Sequence, residues 1–173
     1  MTRKTESGFT LIELLIVVAI ISIIAAFAVP GLLRARMNAN EVSAITSLKT
    51  TSSSQVSYAA SCGNGAYAAT FLVLGTPAAG STEGFISADL GLSATPQKSG
   101  YAFTLGPGSG SAAGPNDCNG TATITAYYGT GVPLTFGTTG TRSFAVNQGN
   151  VVWQLFAATA PPEPFGAPST PIQ

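Results

Sequence analysis

Glu13 is the residue whose surroundings point most directly to chemistry. It is the one charged residue in an otherwise apolar run, residues 9–33. A carboxylate one turn into a membrane-spanning helix costs roughly 2.5–3.5 kcal/mol, although the positive end of the helix dipole reduces that cost. Since no cation of the run can reach it, we expect Glu13 to pair with a cation from elsewhere.

The residue types that most enzymes and metal sites use are scarce. The chain has no histidine, which removes the commonest general base and the commonest transition-metal ligand. It also lacks a Walker A motif and a G-x-S-x-G serine. Its formal net charge of zero gives no field that would attract nucleic acid. We therefore predict a protein that is not an enzyme, with no cofactor, no metal and no nucleic-acid partner.

The two cysteines, Cys62 and Cys118, fit no zinc-binding spacing. In an oxidising compartment they are expected to pair as a structural disulfide. A redox-active pair is the alternative, but it would normally use a C-x-x-C motif that the chain lacks.

Two weaker patterns leave alternatives open. Glu83, Asp89 and Asp117 could contribute to a calcium site, but their spacing shows no metal-binding loop, and solvated surface acids fit the pattern better. Residues 119–121 (Asn-Gly-Thr) match a glycosylation sequon. They equally match an Asn-Gly turn that opens a strand, which is the preferred interpretation.

The apolar run is long enough to span a membrane. Leu14 to Leu33 are 20 residues without a charge, which as a helix rise about 30 Å, the thickness of a bilayer core. Arg3 and Lys4 precede the run, so the positive-inside rule places the N-terminus in the cytoplasm. Arg34 and Arg36 at the other end weaken that bias.

A helical pattern continues beyond the apolar run, which predicts one helix from about Phe9 to about Ala60. Pro30 lies inside it, removes one backbone donor and clashes with the carbonyl of Ala26. Together with Gly31, it predicts a kink or a locally unwound segment. The second half carries a loose apolar stripe at spacings near three and four: Leu33, Met37, Ala44, Ile45, Leu48 and Val56.

The sequence after the helix favours short strands. We predict an α+β fold, in which a small antiparallel sheet of three to five strands packs on the second half of the helix. The candidate strands are 101–105, 121–128, 142–146 and 151–156, with a hairpin turn at 147–150, loops at 106–114 and 129–141, a helix or strand at 66–74 and a single turn at 87–92.

The predicted organisation has five parts. The last 13 residues contain five prolines and are expected to be extended or disordered. The parts are a short polar segment (1–8), a transmembrane helix (9–33), the amphipathic half of the same helix (34–60), a globular head (61–156) and a Pro-rich tail (157–173).

The run GFTLIEL, residues 8–14, resembles the cleavage and methylation signal of type IV prepilins and type II secretion pseudopilins. The resemblance implies that residues 1–8 are a leader peptide and that residues 9–33 are also the assembly helix. It further implies that a membrane peptidase cuts between Gly8 and Phe9 and methylates the new N-terminus of Phe9. It also implies that Glu13 pairs with that amine, on the same chain or on a neighbour, during assembly. Residues 34–41 and, more weakly, 99–105 and 140–145 are similar to pilin segments as well.

The resemblance implies a structural subunit of a type IV pilus-like filament. The expected partners are other copies of the chain, the prepilin peptidase, an inner-membrane assembly platform and the membrane itself. The protein would span the bacterial inner membrane before assembly and lie in an extracellular pilus, or a periplasmic pseudopilus, afterwards. A type II secretion pseudopilin is the alternative. A secretory signal peptide cut near residues 26–28, and a plain membrane anchor on a periplasmic binding protein or enzyme, fit the sequence less well.

Overall fold

The structure, a computed structural model, describes residues 8–172. It divides within its first helix into an N-terminal unit, up to Arg36, and a C-terminal unit, from Met37 on. The long helix confirms the helix predicted over residues 9–60, and the short ones confirm the turn at 87–92 and part of the 66–74 segment. Within the described residues the helices are α1 (Leu11–Ser61), α2 (Phe71–Gly75) and α3 (Ala88–Gly91).

Eight strands form two antiparallel sheets in the described part of the C-terminal unit. A six-stranded sheet has the order β2-β3-β5-β6-β7-β8, and a two-stranded ribbon pairs β1 with β4. This confirms the α+β class, although the main sheet exceeds the three to five strands expected. The strands are β1 (Tyr67–Ala68), β2 (Gln97–Lys98), β3 (Tyr101–Pro107), β4 (Thr123–Ile124), β5 (Tyr127–Pro133), β6 (Ser143–Asn147), β7 (Trp153–Leu155) and β8 (Thr170–Pro171).

The predicted strand at 121–128 and the predicted loop at 129–141 are each only partly correct. The first segment is split between β4 and the start of β5, and residues 129–133 form the middle of the sheet. Gly129 and Gly131 concealed this strand, since glycine is depleted in strands. A Cβ on Gly131 would lie 3.1 Å from the Phe103 ring and 3.6 Å from Leu48 of α1. The glycine therefore allows the helix to pack directly on the sheet.

The C-terminal unit buries α1 along one regular stripe. Buried positions recur at spacings of three and four, the pattern of a helix face: Glu41, Ala44, Leu48, Thr51, Gln55 and Tyr58. Val56, which the sequence placed on the apolar stripe, is 48% exposed. The prediction failed there because half of the six buried positions are polar, so the apolar residues alone do not locate the buried face.

The C-terminal tail is extended rather than disordered through residue 172. Thr170 and Pro171 pair with β7 at the edge of the sheet, and Phe165 stacks on Trp153 with ring centroids 5.3 Å apart. Glu163 accepts hydrogen bonds from the backbone N–H of Ser109 and from the amide of Asn147, both at 2.7 Å. The tail thus covers the face of the sheet opposite α1.

Candidate functional site

The start of α1 is closed by a reciprocal pair of hydrogen bonds. The Glu13 carboxylate accepts from the backbone N–H of Thr10 at 2.9 Å and from its hydroxyl at 2.5 Å. In return, the Thr10 hydroxyl accepts from the backbone N–H of Glu13 at 3.3 Å. This is a capping box, and it satisfies donors that the first helical turn leaves free. The signature T-x-x-E was readable in the sequence but was not recognised there.

The capping box changes what Glu13 requires. A cation was the partner predicted for this carboxylate, whereas the structure supplies uncharged donors from Thr10 of the same chain. These donors do not neutralise the carboxylate, so a contact with the amine of Phe9 stays a prediction.

The predicted cleavage point lies just before the helix. Gly8, Phe9 and Thr10 are exposed and have no regular secondary structure, so the bond between Gly8 and Phe9 lies in an open segment. A Cβ built on Gly8 would meet no atom within 4 Å. The fold therefore does not demand glycine at this position, which is consistent with selection by a peptidase that approaches the bare backbone.

The N-terminal part of α1 is apolar and exposed on every side. All of residues 8–36 are exposed, and an 18-residue window of the helix has a mean hydropathy of 2.9 with none of it buried. Ser22, a polar residue within it, donates its hydroxyl to the carbonyl of Val18 at 2.8 Å, which satisfies it without water. By length and composition this segment is able to cross a membrane.

Pro30 lies inside α1, with helical residues on both sides. Gly31 beside it is open, and an added Cβ would meet nothing within 4 Å. The kink expected at these two residues stays a prediction.

Glu41 joins α1 to the segment that leads into β6. Its carboxylate is buried and accepts from the backbone N–H of Thr141 at 2.8 Å and from two guanidinium nitrogens of Arg142 at 2.8 and 2.6 Å. Burial alone would raise the pKa of Glu41, but the bonds from Thr141 and Arg142 outweigh it and hold the pKa below its usual value. The pair is a structural bridge inside the C-terminal unit.

Gln55 provides a second polar bridge from the helix. Its amide donates to the carbonyl of Ala68 at 2.8 Å and accepts from the N–H of the same residue at 2.9 Å. One buried side chain thereby pairs both backbone groups of a β1 residue, which would otherwise be unsatisfied.

Tyr58 and Asp117 form a third bridge. The buried hydroxyl of Tyr58 donates to Asp117 at 2.7 Å, and burial together with that carboxylate raises the tyrosine pKa. Burial would also raise the pKa of Asp117, but bonds from Tyr58 and the N–H groups of Thr121 and Asn119 lower it overall. This contact could not be predicted from the sequence, because the two residues lie 59 positions apart.

The disulfide between Cys62 and Cys118 is confirmed, with the two Cα atoms 4.8 Å apart. It ties the end of α1 to the loop before β4, next to the bridge between Tyr58 and Asp117. In the loop-entropy model, closing a loop of 56 residues stabilises the fold by about 4 kcal/mol.

The structure does not bring the three candidate calcium ligands together. Asp89 pairs with Lys98 at 2.6 Å, Asp117 is occupied as described above, and Glu83 lies elsewhere on the surface. Among residues 8–172, no group of three His, Cys, Asp or Glu side chains could hold a metal ion. Asn119 lies in a turn with a left-handed Gly120 and donates its amide to the carbonyl of Pro77 at 3.0 Å, as the turn interpretation expected.

Comparisons with known proteins agree with the N-terminal signal. Residues 3–29 match the family model described as the prokaryotic N-terminal methylation motif. The chain is also 60% identical over 38 residues to the type IV wide pilus major component PilA4 of Thermus thermophilus. That alignment covers 22% of this chain and 29% of the relative's length. No solved structure matches.

The matched motif, the apolar helix and the unit that contains the sheet follow one another along the chain. The methylation motif ends within the exposed apolar part of α1, and the same helix continues into a unit with an antiparallel sheet. By its N-terminal motif and this α+β architecture, the chain is similar to the type IV pilin family.

Proposed function

We propose that the chain is a structural subunit of a type IV pilus-like filament, processed by a prepilin peptidase and polymerised through its N-terminal helix. The observation that carries the proposal is the methylation motif at residues 3–29, which leads directly into an apolar helix that is exposed on every side. Such a surface needs either lipid or other helices around it. The matched relative is itself named as a pilus component, which supports the same function.

Processing comes first in the proposal. The peptidase cuts between Gly8 and Phe9 and methylates the amine of Phe9, while residues 9–33 lie in the inner membrane with the N-terminus in the cytoplasm. An assembly platform in that membrane then lifts the subunit into the growing filament. The apolar helix exchanges lipid for neighbouring helices, so its surface stays out of water at each stage.

Glu13 is proposed to set the position of a new subunit in the filament. Its carboxylate would meet the amine of Phe9, on the same chain or a neighbour, and a charged contact is worth more in a dry helix bundle than in water. The capping box holds the carboxylate at the first turn of α1, so the group is in a defined place when the amine arrives.

The proposed role is structural rather than catalytic. The buried polar groups of Glu41, Gln55 and Tyr58 on α1 are bonded to backbone groups or side chains of other segments. The arrangement joins a helix to a sheet and offers no nucleophile paired with a base.

Mass spectrometry of the mature protein tests the processing step. We expect a chain that begins with methylated Phe9. A mature chain that begins near Val29 would instead identify a secretory signal peptide, and an uncut chain would contradict the peptidase step.

Electron microscopy of sheared cell surfaces tests the filament. We expect filaments that contain this chain, and we expect Glu13→Gln to leave cleavage intact while few filaments form. Glutamine keeps the shape of the side chain but removes its charge, so normal filament yield from this variant would contradict the role of Glu13. A pseudopilin of a type II secretion system shares the motif and the helix. Loss of exoprotein secretion on deletion of the chain, without surface filaments, would identify that alternative.

A further inference from the structure

Most charged side chains of the C-terminal unit are satisfied within the chain. Glu41 pairs with Arg142, and Asp89 pairs with Lys98, each at 2.6 Å. The other satisfied carboxylates accept hydrogen bonds from side chains or backbone: Asp117 and Glu163.

Lys49 and Glu83 are the exceptions among the described residues 37–172. Both side chains are exposed, and the structure shows neither an ion pair nor a side-chain hydrogen bond for either within that range. Lys49 is a cation and Glu83 an anion, so each could serve as the counter-ion that the other lacks.

Each of these two residues lines a surface groove. Lys49 borders one of about 440 Å³ on the exposed side of α1, together with Ser53, Val56 and Asn150. Val42 and Val56 lie seven residues before and after Lys49, so the three share one helix face, and both valines are exposed. This face, Val42-Lys49-Val56, is the α1 stripe.

The second groove, of about 430 Å³, lies between α2 and α3. Its lining combines the carboxylate of Glu83 with apolar side chains, including Phe85, Ile86 and Leu92. Leu92 is 80% exposed, an unusual degree for a large aliphatic side chain beside a groove. The α2–α3 groove therefore complements the α1 stripe, because it places an anion among apolar side chains where the stripe places a cation between two valines.

The two surfaces lie on opposite sides of α1. Phe85 packs edge to face on Tyr58, with ring centroids 5.2 Å apart, so the α2–α3 groove is close to the buried side of the helix at Tyr58. Nine residues separate Tyr58 from Lys49, which at 100° per residue is a rotation of about 180° and at 1.5 Å per residue a rise of about 13.5 Å. The α1 stripe and the α2–α3 groove therefore face opposite ways and are displaced from each other along the axis of α1.

From this geometry we infer that the α1 stripe of one copy docks in the α2–α3 groove of a second copy, with Lys49 paired to Glu83. A contact between two different patches on opposite sides of a subunit is heterologous, and with a displacement along the axis it repeats as an open helical polymer. The inference rests on the proposed function, since it names the contact by which C-terminal units meet in the filament.

Charge reversal tests the pairing. We expect Lys49→Glu and Glu83→Lys each to reduce the yield of sheared filaments about tenfold or more, because a like-charge contact would recur at every interface. The double variant restores the opposite charges in exchanged places and should recover most of the yield. Both residues make no contact that the fold needs, so cleavage at Phe9 and the native disulfide, measured in the same membranes, should be unchanged.

Cross-linking tests proximity without relying on yield. In filaments of a chain carrying both Lys49→Cys and Glu83→Cys, a short bifunctional thiol reagent should link successive copies into a ladder. The control carries Lys49→Cys with Ala158→Cys, an exposed position in the tail, and should give no ladder. The native cysteines are paired with each other and do not react.

The outcomes separate this inference from the proposed function. Filaments of normal yield from both single variants, or single defects that the double variant does not repair, would overturn the pairing while the pilin function stands. Absence of filaments from the unmodified chain would overturn the function itself and the pairing with it.

Discussion

Residues 11–36 and 37–61 belong to one helix, but their side chains meet opposite surroundings. The first part is almost wholly apolar and fully exposed. In the second part, six of the nine buried residues are Glu, Ser, Thr or Gln. Hydropathy therefore fails as a guide to burial inside the protein, since the apolar part is left for lipid or other subunits. In the polar part, four of the six buried polar side chains find a hydrogen-bond partner in the same unit: Glu41, Thr51, Ser52 and Gln55.

The sharpest test of this comparison makes the same substitution in both parts. Leu48→Ala should lower the free energy of unfolding by an amount near the upper end of about 2–5 kcal/mol, because Leu48 is completely buried against a sheet with no room to rearrange. Leu15→Ala removes the same atoms from a residue that is 60% exposed and should leave that free energy within about 0.5 kcal/mol. Urea unfolding of the detergent-solubilised chain, followed by near-UV circular dichroism, measures both. Equal losses would contradict the division between the two parts.

Removing a buried polar group should cost nearly as much as removing a buried leucine. Glu41→Ala leaves Arg142 and the N–H of Thr141 without their acceptor, and we expect a loss of about 3 kcal/mol, the low end for a broken buried pair because the Arg142 side chain is 27% exposed. The adjacent exposed residue gives the control, Val42→Ala, with a loss within about 0.5 kcal/mol. The same unfolding experiment measures both variants. A small loss of unfolding free energy in Glu41→Ala would show that water replaces the carboxylate as acceptor for Arg142 and Thr141.

Acid should weaken the C-terminal unit through the same groups. The pKa values of Glu41 and Asp117 are lowered in the fold, so their contribution is present above the unfolded values of about 4 and is lost as pH falls through the folded values. The unfolding free energy should therefore be level near neutrality and fall below about pH 4. Tyr58→Phe removes a donor to Asp117, so the free energy of unfolding should fall less steeply with acid. An unchanged slope would show that Asp117 does not contribute to the acid sensitivity.

The smallest expected effect lies at the start of the helix. Thr10→Ala removes one side of the capping box and should cost about 1 kcal/mol locally, seen as faster amide hydrogen exchange in the first turn after Leu11. Ser22→Ala, which removes a hydroxyl bonded within the same helix, is the control and should leave that turn unchanged. Equal exchange in both variants would show that lipid or detergent, rather than the cap, fixes the first turn.

Much of α1 could be predicted because its first part carries a strong apolar pattern and its end is marked by Cys62, Gly63 and Asn64. The disulfide was also predictable, since the chain has two cysteines that fit neither a zinc-binding spacing nor a C-x-x-C motif. The buried face of the second part was not, because Thr51 and Gln55 look like surface residues until their partners are known. Those partners lie far along the chain or in the backbone, and a single sequence does not show them.

The strands of the sheet could likewise be predicted only in part. β6 and β7 were predicted because their segments flank the hairpin turn at residues 147–150. β5 was missed beyond Tyr128 because Gly129 and Gly131 lower its strand propensity. Gly131 is needed for the close approach of Phe103 and of Leu48 on α1, and Gly129 lies against Val146 of the neighbouring strand. For the tail the sequence could not separate an extended from a disordered chain. Its position depends on side-chain contacts such as Phe165 on Trp153, which a single sequence does not show.

The bridges along α1 also determine how the C-terminal unit would carry tension. Glu41, Gln55 and Cys62 attach the helix to other segments at three heights, and the first and last are 21 residues, or about 31 Å, apart along the axis. A pull along the helix would load these attachments together in shear, instead of opening them one after another. The fold would thus resist being drawn out by its helix, and the covalent link at Cys62 would still hold after the polar bridges had given way.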